Sequence, residues 1–73
     1  MDEIKFQITQ KIGTISRAKS GWATELNLVS WNEREPKYDI RSWDAEHKKM
    51  GKGITFTKEE IHSLKELLNS IEI

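Results

Sequence analysis

The residues of this chain best suited to chemistry are aromatic rings set among cations. Trp43 follows Lys37 and Arg41 and precedes Lys48, Lys49 and Lys52; Trp31 precedes Arg34; Trp22 follows Arg17 and Lys19. Flat rings stack on the faces of unpaired bases, at roughly 1–3 kcal/mol per base, while lysine and arginine track the phosphates. A duplex hides its base faces, so the combination points to single strands. In the stretch KYDIRSW, residues 37–43, strand alternation sets Tyr38, Ile40 and Ser42 on one face and Lys37, Asp39, Arg41 and Trp43 on the other. The first face has the composition of a core. The second is charged and ends in the largest apolar side chain, which is where a base-stacking ring would stand. Against this, a tryptophan also buries a large area and often belongs to a core. Patterning leaves both roles open for Trp43. Trp31 shares a face with Val29, which favours burial, and Trp22 lies in a loop beside Gly21. The lysines read equally as an ordinary solvated surface, although they cluster in 37–52.

Other chemistry is poorly represented. There is no cysteine, so no disulfide and no thiolate metal site. His47 falls in a polar loop and His62 on a helix face, with no ligand spacing around them, and both are expected at the solvated surface. Asp39, Asp44 and Glu46 lie among Lys37, Arg41, Lys48 and Lys49, which favours ionised, solvated ion pairs over an acid–base pair. No nucleophile elbow or phosphate-binding glycine loop is present, and the GKG at 51–53 is too short to be one. The expectation is a protein that is not an enzyme and uses no cofactor.

The positioning elements follow from periodicity. IKFQIT, residues 4–9, alternates with Ile4, Phe6 and Ile8 on one face, and a bend or bulge near Gly13 accommodates the slip at Ile12 and Ile15. KSG at 19–21 is a turn; ATELNLVSW, 23–31, is a second strand with Leu26 and Leu28 opposite Asn27, Val29 and Trp31. NEREP, 32–36, connects it to KYDIRSW. DAEHKK is a polar loop, and MGKGITF, 50–56, is a fourth strand in which glycines mark a bulge or a close approach. Thr57 and Glu60 form a capping box ahead of an amphipathic helix with Ile61, Leu64, Leu67, Leu68 and Ile71 on its stripe. The fold class is α+β: a four-stranded antiparallel β-sheet followed by one C-terminal α-helix, ββββα.

Length and charge constrain the rest. The 73 residues make one domain, 1–73, small enough to be marginal alone and to gain core by forming a homodimer. The helix stripe is wide for one small sheet to cover. The net charge is zero, which disfavours a purely electrostatic binder of nucleic acid, yet residues 4–24 carry +4 and 37–56 carry +2. No apolar run reaches the roughly 20 residues needed to cross a membrane, and MDEIKFQITQ lacks the regions of a signal peptide, so the expected compartment is the cytoplasm.

The run from Lys37 to Leu68 resembles the C-terminal domain of the transcriptional coactivator family positive cofactor 4, and in particular its small bacterial, YdbC-like members. The likeness is carried by Asp39-Ile40-Arg41, Trp43, the polar loop 44–50, Lys52-Gly53-Ile54, and Glu60, Leu64, Lys65 and Leu68, with Phe6 and the ELNLVSW strand in family order. The resemblance implies a homodimer paired through helices and sheet edges whose sheets hold single-stranded DNA with little sequence preference. It implies Arg41 as a phosphate contact, Trp43 as a stacking ring at a spacing one residue shorter, and Lys52 as the basic residue before Gly53-Ile54. The regulatory tail of the eukaryotic coactivators is absent, and the SRAKSGWATE loop is longer than in short members. The expected interface is therefore Lys19, Trp22, Trp31, Lys37, Arg41, Trp43, Lys48, Lys49 and Lys52. Its partner is single-stranded DNA, with RNA open because stacking does not read the sugar, and transcription or replication machinery as further company. The alternative is a dimeric protein-interaction scaffold in transcription that binds no nucleic acid, with Trp43 and Trp31 as protein hot spots.

Overall fold

The computed structural model describes residues 5–73, so Ile4, the expected first residue of the opening strand pattern, lies outside them. The elements run β1 (Phe6–Arg17), β2 (Ala23–Trp31), β3 (Lys37–Trp43), β4 (Met50–Phe56) and α1 (Lys58–Asn69). The four strands form one antiparallel sheet in the order β1-β2-β3-β4. The α+β, ββββα expectation is thus borne out.

Tight connections set this meander. The β1–β2 hairpin closes with Ala18 N–H donating to Trp22 C=O (2.7 Å) and Gly21 N–H to Ala18 C=O (3.1 Å). Gly21 sits at φ +96°, a conformation open to glycine at little cost. The β2–β3 turn places both Asn32 (φ 51°) and Glu33 (φ 63°) in the left-handed region, as hairpin turns matched to strand twist require. In the β3–β4 loop the Asp44 carboxylate accepts from the backbone N–H groups of Lys48 (2.8 Å) and Lys49 (2.9 Å). The helix begins with the expected capping box. Glu60 N–H donates to Thr57 Oγ1 (3.1 Å), and Thr57 N–H donates to Glu60 Oε1 (2.9 Å).

The sheet is strongly curled. Phe6 pairs with Trp31 at one end of β2, and Trp43 pairs with Ala23 at the other. A flat strand of that length spans about 27 Å. Yet the Phe6 and Trp43 ring centroids are 5.1 Å apart. Bulges account for the bend, since each inserts an unmatched residue and increases local twist. Three fall in β1, between Ile8/Gln10, Lys11/Gly13 and Thr14/Ser16, and a register shift in β3–β4 falls between Arg41/Trp43. The predicted slip near Gly13 is one of them, and the extended segment it interrupts is one continuous strand.

Curling reverses the expected inside and outside. The concave face buries Ala23, Glu25, Asn27, Val29, Asp39 and Trp43. The Tyr38–Ile40–Ser42 face, expected as core, is only half-buried on the convex side. Helix α1 lies over that side, where Leu26, Tyr38 and Ile40 face Ile61, Leu64 and Leu68 across an open groove of about 920 Å³. No helix residue is fully buried. Ile54 and Leu67 remain 61% and 65% exposed, with Ile12, Ile15, Leu68 and Ile71 also open.

Candidate nucleic-acid interface

The concave face carries the aromatic and cationic residues, and strand alternation with the observed register determines which. On β3 it presents Lys37, Asp39, Arg41 and Trp43; on β2, the paired Val29, Asn27, Glu25 and Ala23; on β1, Phe6 opposite Trp31 and Lys11 opposite Asn27. Phe6 bridges the two tryptophans, its ring 6.1 Å from Trp31 and 5.1 Å from Trp43, tilted 48° in both cases. Trp43 lies against His47 on its other side, with centroids 5.8 Å apart.

Trp43 is 0% exposed. In this conformation its ring is the floor of the concave face and offers no surface to a base, so the position expected to be open is closed by the curl. Trp31 is half-buried. The Arg41 guanidinium stands over it, 4.7 Å from the ring centroid. Trp22 sits apart from both, its ring over Gly51 in β4. Lys19, Lys37, Lys48, Lys49 and Lys52 are all exposed. Lys37 flanks the Trp31 end of the face; Lys19, in the β1–β2 turn, and Lys48 and Lys49, in the β3–β4 loop, flank the other.

Two polar clusters beneath this surface were not legible as such. In the first, Arg41 Nε donates to Asp39 Oδ1 (2.7 Å) and Nη2 to Oδ2 (2.9 Å), while Thr55 Oγ1 donates to Oδ2 (2.8 Å). Asp39 was expected in a solvated pair; the pair exists, but its carboxylate is wholly enclosed. In the second, His47 Nε2 lies 3.0 and 2.9 Å from the two carboxylate oxygens of Glu25, and Asn27 Nδ2 donates to Glu25 Oε1 (3.0 Å). A carboxylate only accepts, so His47 Nε2 carries the proton. His47 thus sits half-buried on Glu25 and Trp43, not on the solvated surface where its loop position placed it. Its left-handed backbone, φ 58°, turns it inward. His62 is exposed as expected. The one sequence signal for these clusters was that Glu25 and Asn27 share the Val29 face.

Burial pushes the Glu25 pKa up. The hydrogen bonds from Asn27 and His47 and the charges of His47 and Lys11 outweigh it, and the group ends below its ordinary value of 4.5. A carboxylate with a depressed folded pKa contributes stability above the unfolded value and loses it as pH falls through the folded one. The melting temperature should therefore hold from pH 7 to about 5 and decline once the pH falls below about 4.5. Glu25→Gln should flatten part of that decline in a series of thermal melts; an identical acid limb in the variant would sink the assignment.

Among the described residues, the buried side-chain polar atoms without a partner are Asn27 Oδ1, Trp31 Nε1 and Trp43 Nε1. All three lie on the concave face. No group of three or more potential metal ligands is found among the described residues.

The domain is a curled antiparallel sheet with one capped helix behind it and aromatic rings and cations on its inner face. The sequence model of the transcriptional coactivator p15 (PC4) family matches residues 18–67. An uncharacterized protein of Treponema pallidum (strain Nichols) is 46% identical over 72 residues, covering 99% of this chain and 85% of that protein. The chain belongs to the transcriptional coactivator p15 (PC4) family.

Proposed function

We propose that this chain is a single-stranded DNA-binding protein of the transcriptional-coactivator type, tolerant of base sequence and acting as a homodimer in the cytoplasm. The observation that carries the reading is the concave face. It combines a half-buried Trp31, in contact with Phe6 and Arg41, with exposed lysines at both of its ends. Bases stack on Trp31, and Trp22 on the hairpin offers a second ring. Lys19, Lys37, Lys48, Lys49 and Lys52 take phosphates. Trp43 serves beneath them as the floor that Phe6 and His47 rest on. Family membership supports the same reading.

The homodimer is supported by the convex side. A helix with no buried residue, beside exposed Ile54, Leu67 and Leu68, leaves an apolar surface that a monomer would hold against water. A second copy of the same surface, placed by a two-fold axis, covers it. No helix among the described residues is long and apolar enough to cross a membrane.

The test is a titration of a labelled dT oligomer of about 20 nucleotides, long enough to exceed a single-fold site. Wild type should bind and its tryptophan fluorescence should fall. Trp31→Ala, checked for folding by circular dichroism, should bind about 5- to 160-fold more weakly, the effect of losing one stacked base. Sedimentation of the same samples should give the mass of two chains. With a net charge of zero, stacking carries a large share, so affinity should fall less steeply with salt than for a basic binder of equal strength. Failure of folded wild type to bind any oligomer at low salt would hand the protein to the scaffold reading.

A further inference from the structure

We propose that Arg41 serves the nucleic acid through Trp31, as a positioning residue, and does not itself bind a phosphate. The inference rests on the single-strand reading above and concerns how that site is built.

Arginine binds a phosphate by presenting two parallel N–H groups along one edge of its plane. In this structure one of its two such edges, Nε with Nη2, is taken. Nε and Nη2 point at the two oxygens of Asp39, at 2.7 and 2.9 Å. Nη1 lies 3.5 Å from both Met50 Sδ and the Gly51 carbonyl oxygen. The Asp39 side chain is 0% exposed and that of Arg41 only 15%. Turning Arg41 outward would leave an enclosed carboxylate without its cation, which is strongly unfavourable. Thr55 anchors the carboxylate from β4.

The surroundings are shaped for this inward pose. Gly53 pairs with Arg41 across β3–β4, and a Cβ at position 53 would overlap the Cβ of Arg41 and come 2.5 Å from the Ile40 carbonyl oxygen. The glycine therefore leaves the room that the arginine occupies. The outer Nη1/Nη2 edge has only the two 3.5 Å contacts of Nη1 and little exposure, and the flat face of the guanidinium stands over Trp31 at 4.7 Å. A cation over an indole holds the ring by attraction to its π face. With Arg41 on one side and Phe6 beside it, Trp31 is fixed before a base arrives, so less side-chain freedom is lost on binding. The Asp39–Arg41 pair is neutral as a unit, so it adds little to the release of counterions.

Three measurements test this with a dT oligomer: affinity, its dependence on salt, and coupling to Trp31. The variants are Arg41→Lys and the neutral pair Asp39→Asn/Arg41→Gln, which keeps hydrogen-bonding groups in place if the single change weakens folding. Both should bind about three- to tenfold more weakly, in line with a lost cation–π contact. The slope of log affinity against log salt should not change for the neutral pair. In a Trp31→Ala background the same changes should have no further effect. The idea is overturned if Arg41→Lys binds as well as wild type. It is equally overturned if the neutral pair lowers the slope by about 0.7, the signature of one lost phosphate on a single strand, or if the effects of Arg41 and Trp31 simply add. Wild type that binds no oligomer overturns the parent reading instead, and the two failures are separate.

Discussion

Trp43→Ala should cost about 3–5 kcal/mol of folding stability, the usual price of emptying a large buried aromatic site. A domain of 73 residues holds only about 4–11 kcal/mol in total. The variant is therefore expected to be largely unfolded or to melt tens of degrees early. The reason is positional. Trp43 fills the inside of the curl, touching Phe6 from the opposite end of the sheet and His47 from the β3–β4 loop. Without it, the contacts with both Phe6 and His47 are lost. Trp43→Phe should keep the fold, since it preserves an aromatic body. Urea denaturation followed by circular dichroism separates the two. An alanine variant with a midpoint close to wild type would sink the packing account. It would also return Trp43 to the surface as a base-stacking ring. Any loss of DNA binding in Trp43→Ala must be read against its fold, which makes Trp31 the better probe of stacking.

Asp39→Ala should be comparably damaging, at about 3–5 kcal/mol, because removing one partner of an enclosed ion pair strands the other. Asp39 accepts from Arg41 Nε, Arg41 Nη2 and Thr55 Oγ1, and each loses its acceptor at once. Arg41 cannot leave easily, because its side chain is enclosed between β4 and Trp31. The neutral pair Asp39→Asn/Arg41→Gln should cost less than Asp39→Ala alone, since it removes both charges together. Denaturation midpoints at pH 7 decide the matter. An Asp39→Ala variant as stable as wild type would mean that the pair is solvated in solution, as its neighbours in sequence first suggested.

The elements themselves were legible in the sequence. Alternation and turn residues place β2 at ATELNLVSW, β3 at KYDIRSW and β4 at MGKGITF, with the bounds observed. Thr57 and Glu60 announce the helix because a capping box is local chemistry between residues three apart. The slip at Gly13 shows as a break in period, and it is a bulge. The exposed lysines are where polar loops and strand ends put them.

Which face of the sheet lies inside was decided by tertiary structure alone. Alternation divides a strand into two faces, but it does not say toward which of them the sheet will bend. That direction came from four irregularities in register, each local, whose twists add along the sheet until Phe6 meets Trp43. The bend enclosed the face bearing Asp39, Arg41 and Trp43, and it left Tyr38 and Ile40 half-open under a helix. It also brought His47 onto Glu25, 22 positions away in the chain. Such pairings depend on the sum of many small rotations, whereas strands, turns and caps depend on neighbours, and only neighbours are written next to one another in a sequence.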